Sequence, residues 1–439
     1  MPIRLTAETG GETGAIMVYY AQTSTGSKMS ITTTTLPNGL RVVLAPCEAE
    51  SIAFGLFIAS GSRHENAKTA GISHFIEHML FKGTPTRRPI DITRAIEGRG
   101  GNFNACTSEE STCYYCHMSD EHLEEAVDII SDMYLNATIP EDEFVREKQV
   151  VLEEIKMYAD EPDAVAMENL QRALFPNIQL GAPVAGSEKS LAPMTRKNLL
   201  DYVKSHYLPG NTVAVVVGKF NCERALGIIS DRLGQRRPRP AKVFKTGASS
   251  PLAPVVGEVS VEKDVNQVQL AIGYRTPGIT HKNKYAASVM NAILGRGMSS
   301  RLFQEVREKR GLSYDIASNM QMFQDAGMFV VTAGLDRSKT QLALKTIDAQ
   351  LKRIREKKVP ASELARTKEF LLGNFKLSQE RIVSKLFFYG STMLSFGRLM
   401  TTREQIDAIR AVTAADVLET AQEFLNPANR SVSWVVPRA

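Results

Sequence analysis

Two histidines and a glutamate within five consecutive residues are the part of this sequence best suited to metal chemistry. The segment GISHFIEHMLFKGTP contains His74, Glu77 and His78 in the pattern H-x-x-E-H. Residues four apart on a helix lie one turn apart on the same face, so both imidazoles can reach one ion. Two neutral imidazoles suit zinc, and a nearby carboxylate that is not a ligand can take a proton from water. The pattern alone also fits a chance pair of structural histidines, so the zinc hypothesis needs a third ligand.

An acidic helix downstream offers that third ligand. The segment EDEFVREKQVVLEEIKMY has helical periodicity and places Glu147 and Glu154 seven residues, or two turns, apart on one stripe. Glu153 points about 100° away from Glu154 and is expected to face solvent. Spacing alone fits an ordinary charged amphipathic helix equally well. In the metal hypothesis, Glu154 is the ligand and Glu147 supports the site from beside it.

Together, these residues resemble the pitrilysin/insulinase family of zinc metallopeptidases, and most of all the branch with mitochondrial processing peptidase and its bacterial homologues. The family combines H-x-x-E-H with a ligating glutamate far downstream and a further glutamate seven residues before it. This chain matches the pattern at every position, and the similarity extends over about residues 31–436. The resemblance implies one Zn²⁺ per chain, bound by His74, His78 and Glu154, with a water molecule activated by Glu77.

The elements that must position these residues alternate between strand and helix patterns. Helical periodicity from about residue 69 to 80 turns an apolar face toward a core, and Gly83 and Pro85 end that helix. Further amphipathic stretches cover residues 121–136, 141–158 and 196–206, and TVAVVVG reads as a buried strand. Asn38-Gly39 between two β-rich runs predicts a hairpin. The mixture predicts an α/β or α+β protein.

The sequence repeats itself. Residues 194–217 align without gaps with residues 412–435, and residues 140–157 align with residues 360–377. Prolines recur at matching offsets, which is hard to obtain from a chance similarity of amphipathic helices. In the second copy Ser288, Asn291 and Ala292 replace the His, Glu and His, and Asn374 stands in the place of Glu154. The second copy therefore cannot build the same metal site.

The duplication predicts two homologous halves of about 200 residues each. The resemblance implies an α+β fold, with each half a mainly antiparallel sheet packed with helices. The resemblance implies that the halves are arranged as a clamshell. We expect a poorly ordered extension at 1–28, a catalytic zinc-binding half at 29–234, a linker at 235–255 and a non-catalytic substrate-binding half at 256–439. The linker is assigned from its Pro, Lys, Arg, Gly and Ser content and its lack of periodicity.

The resemblance also implies residues that bind the substrate. It places a substrate-binding Arg307 and Tyr314 in SSRLFQEVREKRGLSYDI, where the residues alone would indicate a basic helix face and a core tyrosine. GGNFNACTSEESTCYYCHM reads as a turn followed by an alternating strand, and the family pairs the strand around Asn104 and Ala105 with the peptide backbone. In processing peptidases, acidic residues beyond the ligating glutamate recognise a basic residue near the cleavage site. At the two matching positions this chain has one acid, Glu168, and one alanine, Ala164.

Cysteine spacing gives no second site. Cys113 and Cys116 form C-x-x-C, but residues three apart on a strand face opposite sides of the sheet. We therefore expect both to be structural. The chain has five cysteines, a low and odd number that argues against a disulfide framework and favours a reducing compartment.

Composition excludes several classes of protein. The chain has 439 residues, of which 43% are hydrophobic and 23% charged, as in an ordinary globular protein. A net charge of +5 is too small to indicate nucleic acid or a membrane surface. No window reaches 18 consecutive apolar residues, and the N-terminal segment lacks the features of a signal or transit peptide. We expect no nucleic-acid or membrane partner, and a place in the bacterial cytoplasm.

These observations predict a zinc-dependent endopeptidase that hydrolyses peptides or extended unfolded segments. Two alternatives stay open: a non-catalytic scaffold protein, and one subunit of a two-chain processing peptidase. The scaffold relatives usually lack intact ligands, whereas this chain has all of them. Because relatives of this branch often pair, we expect a homodimer.

Overall fold

The computed structural model describes residues 18–20, 30–238 and 254–438. Most of the predicted extension at 1–28 lies outside these residues, apart from a short strand, Val18–Tyr20, which pairs with Thr32–Thr35. Most of the predicted linker at 235–255 also lies outside them. Within the described part of the chain, no helix has both the length and the apolar character needed to span a bilayer.

The strands form two sheets. The first contains β1 (Val18–Tyr20), β2 (Thr32–Thr35), β3 (Arg41–Pro46), β4 (Ser51–Ile58), β5 (Asn102–Thr107), β6 (Thr112–Ser119) and β7 (Thr212–Gly218). The second contains β8 (Glu258–Lys263), β9 (Val268–Thr276), β10 (Ser313–Met322), β11 (Gly327–Leu335) and β12 (Arg430–Pro437).

Helices follow the strands along the chain. They are α1 (Ile72–Leu80), α2 (Pro89–Glu97), α3 (Leu123–Asn136), α4 (Glu141–Asp160), α5 (Pro162–Leu174), α6 (Glu188–Leu191), α7 (Arg196–His206), α8 (Cys222–Leu233), α9 (Lys284–Gly295), α10 (Thr340–Glu356), α11 (Ala361–Ser378), α12 (Ile382–Phe396), α13 (Thr402–Ala411) and α14 (Ala414–Phe424). A π-helical segment, Phe303–Glu308, precedes β10.

The two sheets repeat one strand order. The first runs β1-β2-β3-β7-β4-β6-β5 and the second β10-β11-β9-β12-β8, so β3-β7-β4-β6-β5 corresponds to β8-β12-β9-β11-β10. In each sheet one neighbouring pair is parallel, β3 with β7 and β8 with β12, and the other pairs are antiparallel. The matched sequence segments fall on equivalent elements, namely α4 with α11, α7 with α14 and β7 with β12. The predicted α+β class with two mainly antiparallel sheets is confirmed.

The compact units are interleaved along the chain. One comprises residues 1–153, 183–244 and 377–400, and the other residues 154–182, 245–376 and 401–439. Helix α12, late in the sequence, therefore packs on the first sheet, where Leu386 and Tyr389 join a core with Phe57 and Val215. Helix α5, from the early part, packs on the second sheet through Leu170 and Leu174. The boundaries expected from the sequence, with one half at 29–234 and the other at 256–439, describe the two copies of the repeat and stay a prediction.

Candidate metal centre

Helix α1 places its chemical residues on a half-buried face and its apolar residues in the core. Ile72, Phe75, Ile76 and Met79 are fully buried, whereas the metal-pattern side chains between them are partly exposed. The helix begins after Gly71, whose φ of 91° lies in the left-handed region. A Cβ there would come within 2.5 Å of the carbonyl oxygen of Ala185. Glycine is therefore required at the start of this helix.

Glu65 fixes the first turn of α1 from outside the helix. Its two carboxylate oxygens accept hydrogen bonds from the backbone N–H groups of Gly71, at 2.7 Å, and Ser73, at 2.8 Å. These N–H groups have no partner within the helix itself, so the carboxylate acts as a cap. Burial raises the pKa of Glu65 to about 7, against the lowering effect of the Ser73 and Gly71 hydrogen bonds.

A buried chain of hydroxyl groups continues from this turn. Ser73 Oγ lies 3.1 Å from the hydroxyl of Tyr202 on α7, which in turn lies 3.2 Å from Ser60 Oγ. The Tyr202 ring stacks on His206, with 3.7 Å between the ring centroids. Helix α7 thus holds the segment of α1 that immediately precedes His74.

The two imidazoles approach each other through the same ring nitrogen. His74 Nε2 and His78 Nε2 are 3.3 Å apart, and the rings are inclined at 70° with centroids 4.7 Å apart. Two nitrogen ligands of a tetrahedral zinc, at 2.0–2.1 Å from the ion, are separated by about 3.3–3.4 Å. Burial and the nearby His78 lower the pKa of His74 to about 4, so its ring is neutral at neutral pH. The pair fits a zinc ion in spacing and protonation.

Helix α4 adds the third donor. Ligand atoms of His74, His78 and Glu154 all lie within 4.8 Å of one another, and each residue is partly exposed. Phe144 near the start of α4 stacks on Phe75 of α1, with ring centroids 5.2 Å apart. The continuous helix carries Glu154 two turns beyond Glu147.

Glu147 contacts the ring nitrogen of His78 that points away from His74. Its Oε1 lies 3.0 Å from His78 Nδ1, and its Oε2 lies 2.6 Å from Lys82 Nζ. Although burial alone would raise it, the hydrogen bonds from His78 and Lys82 keep the pKa of Glu147 below its usual range. An ionised carboxylate can only accept, so Nδ1 of His78 carries the proton and Nε2 presents a lone pair.

Glu77 is held separately from the donor set. Thr107 Oγ1 on β5 donates a hydrogen bond of 2.5 Å to Glu77 Oε2. Within the described residues, the group of donors that could share one ion comprises His74, His78 and Glu154 without Glu77. A carboxylate beside such a group, but outside it, is placed to exchange protons with a water molecule there.

The predicted peptide-binding strand lies at the end of the first sheet. The structure shows a hairpin, β5 and β6 joined by a turn at 108–111, where the sequence indicated a turn and a single alternating strand. Asn104 and Ala105 lie on β5, which ends the strand order in the described part of the chain. Asn104 is exposed and Ala105 partly so. The backbone edge at these residues suits strand addition.

The two residues proposed to bind substrate from the second copy lie together in the second unit. The Arg307 guanidinium lies over the Tyr314 ring, 4.9 Å from its centroid, and over the Phe303 ring at 4.8 Å. Tyr314 sits at a register shift in β10 and is 80% exposed. A bulge of this kind re-aims a side chain. The alternative of a core tyrosine at this position is therefore wrong.

The remaining sequence-based candidates differ in their surroundings. Asn291, which corresponds to Glu77 in the repeat, is buried and accepts a 2.7 Å hydrogen bond from Ser318 Oγ. That bond ties α9 to β10, so the second copy uses the position for structure. Glu168 is exposed on α5 in the second unit.

Sequence reasoning missed three residues that support the site. Lys82 follows His78 by four residues, and this helical spacing could have indicated a neighbour on the same face. Thr107 could have been found only with the register and facing of β5. Glu65 contacts α1 from a preceding loop, and no local pattern indicates its role.

Comparisons with known proteins show the family and the fold that this chain shares. A family model described as "Insulinase (Peptidase family M16)" matches residues 41–188, and one described as "Peptidase M16 inactive domain" matches residues 193–371. An uncharacterized zinc protease of Bacillus subtilis, YmxG, is 35% identical over 391 residues, which are 89% of this chain and 94% of that protein. An uncharacterized zinc protease of Mycobacterium tuberculosis is 34% identical over 403 residues, 90% of each chain. Among solved structures, a protease from Helicobacter pylori has a similar fold, with a TM-score of 0.87 at 23% identity over 93% of this chain and 100% of that one.

Proposed function

The chain belongs to the insulinase family of peptidases, family M16, and on that premise we propose that it is a zinc-dependent endopeptidase. Its substrates in this proposal are peptides or extended unfolded segments. The observation that carries the proposal is the meeting of His74, His78 and Glu154 around one point, with ligand atoms within 4.8 Å of one another. Two imidazoles and a carboxylate are a common catalytic zinc set, because they leave a coordination position open.

The residues around this set have separate roles in the proposed reaction. When bound, zinc would supply Lewis-acid chemistry and acidify water. Glu77 accepts a proton from the attacking water and later gives it to the leaving amine nitrogen. Thr107 holds one oxygen of Glu77 through the 2.5 Å hydrogen bond. Glu147 keeps the proton of His78 on Nδ1, so that Nε2 stays available as a ligand.

Substrate binding is assigned to backbone pairing and to two donors. The edge of β5 around Asn104 and Ala105 pairs with an extended peptide, which gives affinity with little dependence on side chains. Arg307 and Tyr314 donate hydrogen bonds to peptide carbonyl groups, including the oxygen that gains charge during attack. The Glu168 carboxylate is proposed to bind a basic side chain of the substrate. The match of residues 193–371 to a model described as an inactive domain supports a non-catalytic role for the second copy.

The test compares the purified chain with Glu77→Gln. We expect the wild type to contain one zinc per chain and to cleave a peptide library in a chelator-sensitive way. Glu77→Gln should keep its zinc and cleave about 10²–10⁴-fold more slowly, since it removes a general base. Gln149→Ala, an exposed change on α4, serves as the matched control and should cleave like the wild type.

Three results would contradict the proposal in different ways. Wild-type turnover by Glu77→Gln rejects the proposed base. A folded, zinc-loaded wild type that cleaves nothing supports the scaffold alternative. Cleavage that appears only after a second, different chain is added supports the two-chain alternative.

The proposal extends to assembly and compartment. We propose a homodimer in the bacterial cytoplasm, without nucleic-acid or membrane partners. The free state of all five cysteines is what a reducing compartment would maintain. Gel filtration with light scattering tests the dimer, and fractionation of the source cells tests the compartment.

A further inference from the structure

Two free cysteines face each other across the hairpin that carries the edge strand. Cys106 on β5 and Cys113 on β6 are direct register partners in an antiparallel pair. Cys106 is exposed and Cys113 is buried. Cys116, which forms the C-x-x-C pattern with Cys113, lies on the opposite face, and its Sγ contacts the Ala126 carbonyl oxygen at 3.9 Å. The pair that the fold brings together is therefore 106 with 113.

The position of the two residues suits a covalent link. Residues directly opposed in antiparallel strands have Cα atoms about 4.5–5.5 Å apart and side chains on the same face. A disulfide requires Cα atoms roughly 4.4–6.8 Å apart. The two thiols also influence each other, since Cys113 lowers the pKa of Cys106 and Cys106 adds to the raised pKa of Cys113.

The two thiols differ in pKa and in exposure, as expected when a reactive cysteine lies beside a second cysteine that resolves its oxidised form. The hydrogen bond from Cys113 lowers the pKa of Cys106, although burial and Glu77 oppose this effect. Burial raises the pKa of Cys113 well above its usual value. Cys106 is therefore the accessible thiol with more thiolate character, and Cys113 is the protected thiol beside it.

We propose that Cys106 and Cys113 form a redox site that hydroperoxides convert into a cross-strand disulfide, and that this disulfide slows peptide cleavage. The Cys106 thiolate attacks one oxygen of hydrogen peroxide, so that an S–O bond forms and the O–O bond breaks. The departing hydroxide takes up the proton that the Cys106 thiol released and becomes the first water molecule. The Cys113 sulfur then attacks the sulfenic sulfur of Cys106, and hydroxide departs with the Cys113 proton as a second water molecule. In total, two thiols and one peroxide give one disulfide and two waters.

The effect on cleavage follows from the neighbour of Cys106 and rests on the proposed function. Thr107 is the next residue on β5 and donates the hydrogen bond to Glu77. Forming the disulfide brings the two sulfur atoms to a bonded distance of about 2.05 Å. The paired backbone of β5 and β6 beside Thr107 must shift to allow this. The disulfide also links β5, whose edge would bind a peptide, covalently to β6.

The experiment uses the full-length, zinc-loaded, reduced chain and hydrogen peroxide. We expect the mass to fall by two hydrogens, with recovery in dithiothreitol. Glu109 and Glu110 lie in the turn between the two cysteines, so cleavage after glutamate in the denatured chain leaves two peptides joined only by the disulfide. Cys106→Ser, at an exposed position where folding is little affected, should abolish the linked peptides. Cys116→Ser is the matched control and should retain them.

Peptide cleavage is measured on the same samples. We expect the oxidised wild type to cleave several-fold more slowly than the reduced wild type, and Cys106→Ser to be insensitive to peroxide. Oxidation of Cys106 to sulfinic acid beside a free Cys113 thiol, or a disulfide to Cys47 or Cys222, would overturn the redox site. Equal rates for the two wild-type forms would overturn its effect on cleavage. A chain that cleaves nothing in either form contradicts the proposed function, while the linked peptides still decide the redox site.

Discussion

His78 Nδ1 lies 3.0 Å from Glu147 Oε1, and this contact joins the helix of the histidine pair to the helix of the third donor. The second oxygen of Glu147 binds Lys82 at 2.6 Å, so both carboxylate oxygens are engaged. The carboxylate thereby fixes the orientation and the tautomer of the His78 ring, which the proposed function uses as a metal ligand. The contact between Glu147 and His78 gives a physical reason why the family motif includes a glutamate two turns before Glu154.

Replacing Glu147 should weaken metal binding without removing a ligand. Loss of a carboxylate that orients a ligating histidine typically costs 10–100-fold in metal affinity. We therefore expect Glu147→Ala to bind zinc about 10–100-fold more weakly, as measured by competition with a chromophoric chelator. Gln149→Ala on the same helix should bind zinc like the wild type, and equal affinities for both variants would contradict the role of Glu147.

The helix that carries His74 and His78 could be predicted from the sequence because the required information is local. A spacing of four places His74 and His78 on one face whatever the rest of the fold does, and buried apolar residues at helical intervals orient that face. The spacing of Glu147 and Glu154 was equally local, but spacing alone could not bring them to the histidines. The repeat predicted two related sheets because the matched segments cover whole elements, and the strand order bears this out.

Features that depend on strand register and on contacts between distant segments could not be predicted from the sequence. The segment from 100 to 118 was interpreted as a turn and one strand, whereas the fold makes a hairpin, and this concealed the pairing of Cys106 with Cys113. The exchange of α5 and α12 between the compact units likewise leaves no periodic signal, because a helix shows which face is apolar but not which sheet covers it.

Thr107 should affect catalysis but not zinc binding. Its hydroxyl donates to Glu77, and a hydrogen bond to a charged group contributes about 1.5–3 kcal/mol. We expect Thr107→Val to lower kcat for peptide cleavage roughly tenfold or more, since the base loses its fixed orientation. Thr107→Ser keeps the hydroxyl and should retain most of the activity. Similar rates for the valine and serine variants, at equal zinc content, would argue against the positioning of Glu77 by Thr107.

Tyr314 should matter for cleavage more than for folding. The side chain is 80% exposed, and Tyr314→Phe preserves the ring that lies against Arg307. Such surface changes usually alter the free energy of unfolding by less than about 0.5 kcal/mol. If the hydroxyl donates to a charged transition-state oxygen, kcat should fall on the order of 10–150-fold. Tyr314→Ala, which also removes the ring, separates the contribution of the hydroxyl from that of the stacked pair, and unchanged kcat in Tyr314→Phe would exclude the hydroxyl.

Glu65 should make stability depend on pH in the direction opposite to that of an ordinary ion-paired acid. Its pKa rises from 4.5 to about 7 on folding because the carboxyl group is buried. The folded chain therefore binds this proton more tightly than the unfolded chain. The stability that the protonated group contributes is complete below pH 4.5 and is lost as the pH rises through about 7. Glu65→Gln cannot ionise and should not show this loss.

Urea unfolding followed by circular dichroism, at fixed zinc and over a series of pH values, measures the effect. The free energy of unfolding of the wild type, minus that of Glu65→Gln, should decrease steadily as the pH rises from 4.5 to 7. Glu50→Gln is the matched control, because the Glu50 side chain is 94% exposed. Its difference from the wild type should stay nearly constant over the same range. A difference for Glu65→Gln that increases with pH would mean that the two backbone N–H groups of α1 outweigh burial, and that Glu65 is ionised in the folded chain at neutral pH.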